Sequence, residues 1–328
     1  MKSNRLFTLG ILTLAAVALC LSAPARAAEG HFDRTLQVSG PVELDVQTGS
    51  GTINVRTGDS STVHVTGTIR ASNSWLGGDD EAEKKIRYLE ANPPIEQHGE
   101  VIKIGHIEDE SLQRNISISY DVVVPAATRL RSSSGSGDQD VSGLNGPVES
   151  SSGSGSLKLA NIGDMVRAST GSGHISVEGV KGTVRASTGS GEILATEVAG
   201  GLHASTGSGN VTLRQTAPGE VQVSTGSGTV QLEGVHGTVR ASTASGNIRV
   251  DGEGEGSWRL STASGNVSVR LPSQQGFTLH AQTVSGKIHT AREMTVQGNL
   301  GGHELEGKVG GGGFLLDVST VSGNISVD

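Results

Sequence analysis

Asp138 and Asp140, in the string Gly-Asp-Gln-Asp-Val, are the two carboxylates best spaced to act together. On a strand, residues two apart share a face, and two carboxylates flanking a sugar are the machinery of glycoside hydrolysis. One repeat further on, and on again, the position of Asp138 is taken by Ser156, His174, Glu192 and Asn210. No second acidic cluster joins the column, so the pair reads as solvated surface and the chain as a non-enzyme. Calcium-binding nonapeptide repeats demand an Asp in each copy. Here Gly-Ser-Gly-His-Ile-Ser-Val-Glu-Gly puts Ser176 there, and other copies offer Leu157-Lys158, Thr212 and Arg249. The ten His are scattered. His203 and His280 share a repeat position four copies apart, about 19 Å at strand spacing, too far to share a metal. Many Gly-x-Gly strings occur, but none opens a helix as a phosphate loop must. Neither a metal nor a cofactor is expected.

One column remains as a candidate. At a single repeat position stand Arg131, Arg167, Arg185, His203, Arg240, Arg259 and His280, interrupted by Glu149 and Gln222. Like charges stacked opposite one another in a ladder are destabilising, so a row biased toward Arg in an acidic chain calls for a reason. Arg forks suit carboxylates and other anions, which makes this row the candidate ligand-facing column, for an anionic glycan or a partner's carboxylates. The plainer alternative is solubility alone, with Glu178 or Glu192 giving diagonal relief. Beside it runs an uncharged column, Ser169, Ser187, Ser205, Ser224, Ser242 and Ser261. Such hydroxyls could meet ice or a sugar, although the Thr-x-Thr rows of ice-binding solenoids are absent.

The elements that would carry these columns follow from a repeat. Variants of Ser-Thr-Gly-Ser-Gly end at Gly137, Gly155, Gly173, Gly191, Gly209, Gly228, Gly246, Gly265, Gly286 and Gly323, mostly 18 or 19 residues apart. A fixed period near 20 marks a solenoid in which each copy is one coil. Within a copy, Ile175 and Val177 alternate with Ser176 and Glu178, and Val184, Ala186 and Thr188 alternate with Arg185 and Ser187. That is the period-two pattern of two half-buried strands. Gly-rich strings at 179–182 and 189–191 supply the corners, where positive backbone angles are expected of Gly. Extra residues are expected to bulge at the corners 215–219 and 272–276. Stacking like on like predicts an all-β, parallel β-helix of two-strand coils of about 18 residues. Eleven coils from about residue 127 onward would give a rod of roughly 50 Å. The step of 37 before Gly323 is read as two periods with one degraded copy. A propeller blade needs about 40 residues, whereas tandem antiparallel hairpins in an open sheet remain compatible with the strand lengths.

With 49 Gly and 2% aromatic residues, the core must be thin and built from Val, Ile, Leu, Ala and Thr. Residues 41–55 match 147–159, placing a first coil ahead of the array. Between them lies different sequence: Ala82, Ile86 and Leu89 at helical spacing, Pro93-Pro94 to stop the helix, and strands at 101–104 and 116–124. This segment is expected to cap the open end of the coil stack, though Trp75 could instead be a loop binding residue. The closing Val-Ser-Thr-Val-Ser-Gly-Asn-Ile-Ser-Val-Asp is expected to pack as the last coil.

Lys2 and Arg5, an apolar run from Leu9 to Leu21, and Ala25-Arg26-Ala27 read as a secretory leader. The run is short for a membrane span. The expected divisions are 1–27 leader, 28–70 first strands and coil, 71–126 capping segment and 127–328 repeat array. Cys20 falls in the leader, so the mature chain would hold no disulfide. Losing Lys2, Arg5 and Arg26 takes the formal charge from −8 to −11, which disfavours nucleic acid and anionic membrane as partners.

The strings TGSGTINV, STGSGHISV, STGSGNVTL and STASGNVSV, with the YDVVVP strand at 120–125, resemble the bacterial "putative adhesin" family of unknown function. The resemblance spans most of residues 35–328 and implies architecture and adhesion, with no family catalytic residues to transfer. The combined expectation is an exported, non-enzymatic, adhesin-like repeat protein of the periplasm, cell surface or exterior, binding glycan or an envelope protein. A structural or regulatory envelope protein and a carbohydrate-active β-helix enzyme are the alternatives. Oligomeric state is not legible.

Overall fold

Each copy of the repeat does make one coil, and the matching glycines do line up. In this computed structural model, which describes residues 29–71, 79–296 and 303–328, each coil gives one strand to each of two facing sheets. The second strand of each copy, such as Val166–Thr170, Val184–Thr188 and Leu202–Ser208, pairs in parallel with its counterparts above and below. The first strand, such as Leu157–Ile162 and Ile175–Val180, does the same in the other sheet. We call the sheet of Ile175–Val180 the first sheet and that of Val184–Thr188 the second. The coil strands pair in parallel throughout, so the open sheet of antiparallel hairpins does not form.

Inward residues build the core as columns. Val184, Ala186 and Thr188 are buried beneath Val166, Ala168 and Thr170, while Arg185 faces out. The thin centre needs no aromatic residue; the large rings gather at the two ends. Phe32 and Tyr120 meet at 6.3 Å near the N-terminal end, and Phe314 touches Trp258 and Phe277 at 5.5 and 6.1 Å near the C-terminal end.

The recurrent Thr and Gly have a shared purpose. The Thr188 hydroxyl donates to the Gly173 carbonyl of the preceding coil at 3.0 Å, and Thr170, Thr206 and Thr225 repeat the bond at 2.8–3.1 Å. A Cβ on Gly191 would lie 1.9 Å from that same Gly173 oxygen. Gly is therefore required by close approach between coils. The expectation of positive φ at this corner is corrected for Gly155, Gly173 and Gly191, which do not adopt it; Gly265 and Gly323, at the same place in later coils, do, at 156° and 155°. It holds at the opposite corner, where Gly143, Asn161, Gly179 and Glu197 stack with φ between 55° and 81°.

Longer repeats bulge where expected. The chain leaves one sheet at Gln215 and re-enters the other at Val221; it does so again between Arg270 and Phe277. Buried Gln215 fills the first bulge, donating to the Gly200 and Gly219 carbonyls at 3.0 and 3.3 Å.

Two expectations about the C-terminal end are overturned. Strand Phe314–Ser322 inserts between Trp258–Ser264 and Phe277–Ser285, parallel to both, so the final sequence forms the penultimate coil and residues 277–290 the outermost one. The described residues of the long step before Gly323 form no degraded coil. They include strands Met294–Val296 and Glu304–Val309, which pair antiparallel and cover the outer edge of Phe277–Ser285. Ten coils thus follow residue 127. With the first coil, Glu43–Thr48 and Ile53–Thr57, eleven are stacked, over about 48 Å at strand spacing.

The N-terminal end is closed by added strands. Ile116–Val124, Thr62–Ala71 and Glu29–Gln37 extend the first sheet, and Val101–Ile104 with Ile95–His98 extends the second. Helix α1 (Asp79–Ala91) lies on the two outer strands through buried Ile86 and Leu89. Glu90 accepts from the His31 amide at 2.9 Å. The leader, Cys20 and Trp75 lie outside the described residues.

Candidate functional site: the outer face of the second sheet

On the outer face of the second sheet each coil presents one side chain from the Arg-rich column and, two residues on, one from the Ser column, with Gln47 and Gln282 replacing Ser in the first and outermost coils. The pleat fixes both outward because Val, Ala and Thr take the inward places. In spatial order the first column runs Asp45 of the first coil, Arg131, Glu149, Arg167, Arg185, His203, Gln222, Arg240 and Arg259. The inserted coil then places Asp317 after Arg259, with His280 beyond it. His203 and His280 are consequently five coils apart, not four, or about 24 Å.

Ion pairs close both ends of the row. Arg131 meets Glu149 at 3.1 Å. Arg259 meets Asp317 at 3.1 Å, and His280 lies 3.3 Å from Asp317 and 3.8 Å from Glu304. Three of the seven candidates therefore have carboxylate neighbours of their own. Between these brackets Arg167, Arg185, His203 and Arg240 form no ion pair with any described carboxylate; the Arg185 guanidinium rests against the Met165 sulfur at 3.4 Å. A trough of about 380 Å³ runs over the first three of them, lined by Arg167, Arg185, His203 and Gln222 and by the hydroxyls of Ser169, Ser187, Ser205 and Ser224; Arg240 stands one coil beyond its end.

The first sheet's outer face is wired differently. Lys158 reaches Asp140 at 3.6 Å, Arg214 reaches Glu233 at 3.3 Å and Arg270 reaches Asp251 at 3.5 Å. Bonds from Gln231 and Arg214 hold the Glu233 carboxyl below its ordinary value. These three pairs relieve charge from coil to coil, while Arg249 and Glu178 on the same face form no ion pair with a described residue.

The other sequence candidates are employed structurally. Asp138 Oδ1 accepts the Ser156 amide at 2.7 Å, and Asn210, Asn247, Asn266 and Asn324 repeat that bond to the next coil at 2.8–2.9 Å. His174 belongs to the same corner ladder, accepting the Glu192 amide at 3.1 Å. Asp140 is engaged by Lys158. Among the described residues no group of three or more His, Cys, Asp or Glu is gathered to hold a metal, and no helix is long and apolar enough to cross a membrane.

A feature that sequence reading missed is a cavity of about 700 Å³ at the N-terminal end, between the first coil's corner at 47–50 and the segment 105–113. Lys103, His106, Glu96 and Glu108 line it over an apolar floor that includes Ile118 and Tyr120. Burial pushes the Tyr120 hydroxyl well above its ordinary pKa. Buried atoms of His106 and Asp45 face each other here at 3.6 Å without a hydrogen bond. Repeat corners form one wall and the non-repeating residues from Glu96 to Tyr120 the other, so no periodic signal announces it.

A two-sheet parallel stack with strand-built caps defines the class of protein. Residues 42–328 match the family described as Toastrack DUF4097, and the chain belongs to that family, whose function is not known. Similar solved structures include a "putative cell adhesion protein" from Clostridium sporogenes, at 12% identity over 92% of this chain and 99% of that one, TM-score 0.23. A "putative lipid binding protein" from Parabacteroides distasonis matches at 14% over 91% and 97%, TM-score 0.44. A "putative adhesin" from Bacteroides fragilis matches at 10% over 91% and 97%, TM-score 0.30. No curated protein matches.

Proposed function

We propose that this is an exported, adhesin-like binding protein of the cell envelope, without catalytic activity, which holds an anionic ligand on the outer face of its second sheet. One observation carries the reading: within a ladder that pairs its charges at both ends, Arg167, Arg185, His203 and Arg240 form no ion pair with a described carboxylate, Glu149 beside Arg167 being turned to Arg131. Stacked cations repel, and an external anion relieves that cost. The leader pattern at 1–27 supports export. The engagement of Asp138 and Asp140 in coil-to-coil contacts speaks against hydrolysis at that pair.

A panel of acidic and neutral polysaccharides tests this. Retention of acidic members without turnover is expected, and replacing Arg167, Arg185 and Arg240 together with Ser should abolish retention while leaving the circular dichroism spectrum unchanged. Chain cleavage would establish an enzyme, and equal retention by the triple variant would remove this face from the account.

A further inference from the structure

The row of cations has a length and a direction, and both constrain what it can hold. Glu149 closes the row on one side through Arg131, and Asp317 closes it on the other through Arg259. What stays open is the five coils from Arg167 to Arg240, about 19 Å at strand spacing. A ligand lying along a strand would meet one cation and then a Ser. A ligand lying along the coil axis meets Arg167, Arg185 and His203 in succession, passes neutral Gln222, and meets Arg240.

Chemistry narrows the class further. Protein partners are anchored by aromatic and large apolar side chains in pockets, and the trough offers none: its lining is Arg, His, Gln, Ala and Ser. Every cation instead has a Ser hydroxyl two residues away on the same strand, ready to bond a hydroxyl-rich backbone. Resting on the binding reading above, we infer that the ligand is an acidic polysaccharide laid along the rod axis across the strands. Its carboxylate or sulfate groups engage Arg167 and Arg185 at one end of a five-coil window and Arg240 at the other.

A length-graded series of oligogalacturonates, titrated against the full chain by calorimetry at low salt, tests this. Affinity should climb with length and level off once the oligomer spans the window. Arg240→Ser should weaken the long oligomers about fivefold, the worth of one exposed ion pair, and leave the shortest binders unchanged. Arg167→Ser should weaken both. An Arg240→Ser effect that is equal at every length, or absent at every length, would overturn the axial placement while leaving anion binding intact. Oligoglutamates binding as tightly as the uronates would overturn the polysaccharide and indicate a protein partner. No binding by any acidic oligomer would remove the broader reading with it.

Discussion

Thr188 and Gly191 meet at one carbonyl oxygen, and their roles there are opposite in kind. Thr188 supplies the donor that the buried Gly173 oxygen accepts, whereas Gly191 supplies space by lacking a Cβ. Thr188→Val keeps the shape and removes the hydroxyl, which should cost about 1–2 kcal/mol for an acceptor deprived of one bond. Gly191→Ala inserts an atom against backbone that neighbouring ladders hold in place, and overpacking of that kind costs about 1–3 kcal/mol. Urea unfolding of both variants would check the order, with Gly191→Ala expected to be the more damaging. A neutral Gly191→Ala would mean that the coils are less closely stacked than described. The recurring Thr-Gly-Ser-Gly of the repeat was legible as a corner, but the reason for the Gly was not. Close approach between copies is a tertiary fact, and no single repeat displays it.

At the scale of elements, each coil touches only its neighbours, so stability should be local along the stack. The outermost coil, 277–290, rests on the inserted strands Phe314–Ser322 and Ile325–Val327 rather than on the coil before it in sequence. Deleting residues 314–328 should therefore strip amide protection from 277–290 and from the edge strands Trp258–Ser264 and Val267–Arg270. The coils from 129 to 236 should keep theirs. Hydrogen exchange read by mass spectrometry distinguishes this from uniform loss along the chain, which would contradict nearest-neighbour stacking. Strand boundaries inside the array were readable because a period of two and a period of 18 reinforce one another. The order of the last two coils was not, because copies that end in Thr-Val-Ser-Gly can stack in either order with the same register. The ring contacts of Phe314 with Trp258 and Phe277, and the strand Glu304–Val309 on the outer edge of Phe277–Ser285, separate them.

Taken whole, the molecule is a rod with two unlike long faces. One carries three cation–carboxylate pairs spread along its length; the other pairs its charges at the ends and leaves four cationic positions in the middle, broken by Gln222, without an ion pair. The Arg column was visible in the sequence as a periodic position, yet its limits were not. Asp317 enters it only because a distant strand is inserted between Arg259 and His280. Sequence order had placed those two side by side.

Hydroxyl-radical footprinting of the full chain, with and without a long polygalacturonate, tests the central claim most directly. Met165 and Leu194 are both partly exposed, Met165 beside Arg185 at the trough and Leu194 on the first sheet. Bound polymer should shield Met165 and His203 and leave oxidation at Leu194 unchanged. Shielding of Leu194 with Met165 and His203 still fully reactive would contradict the account.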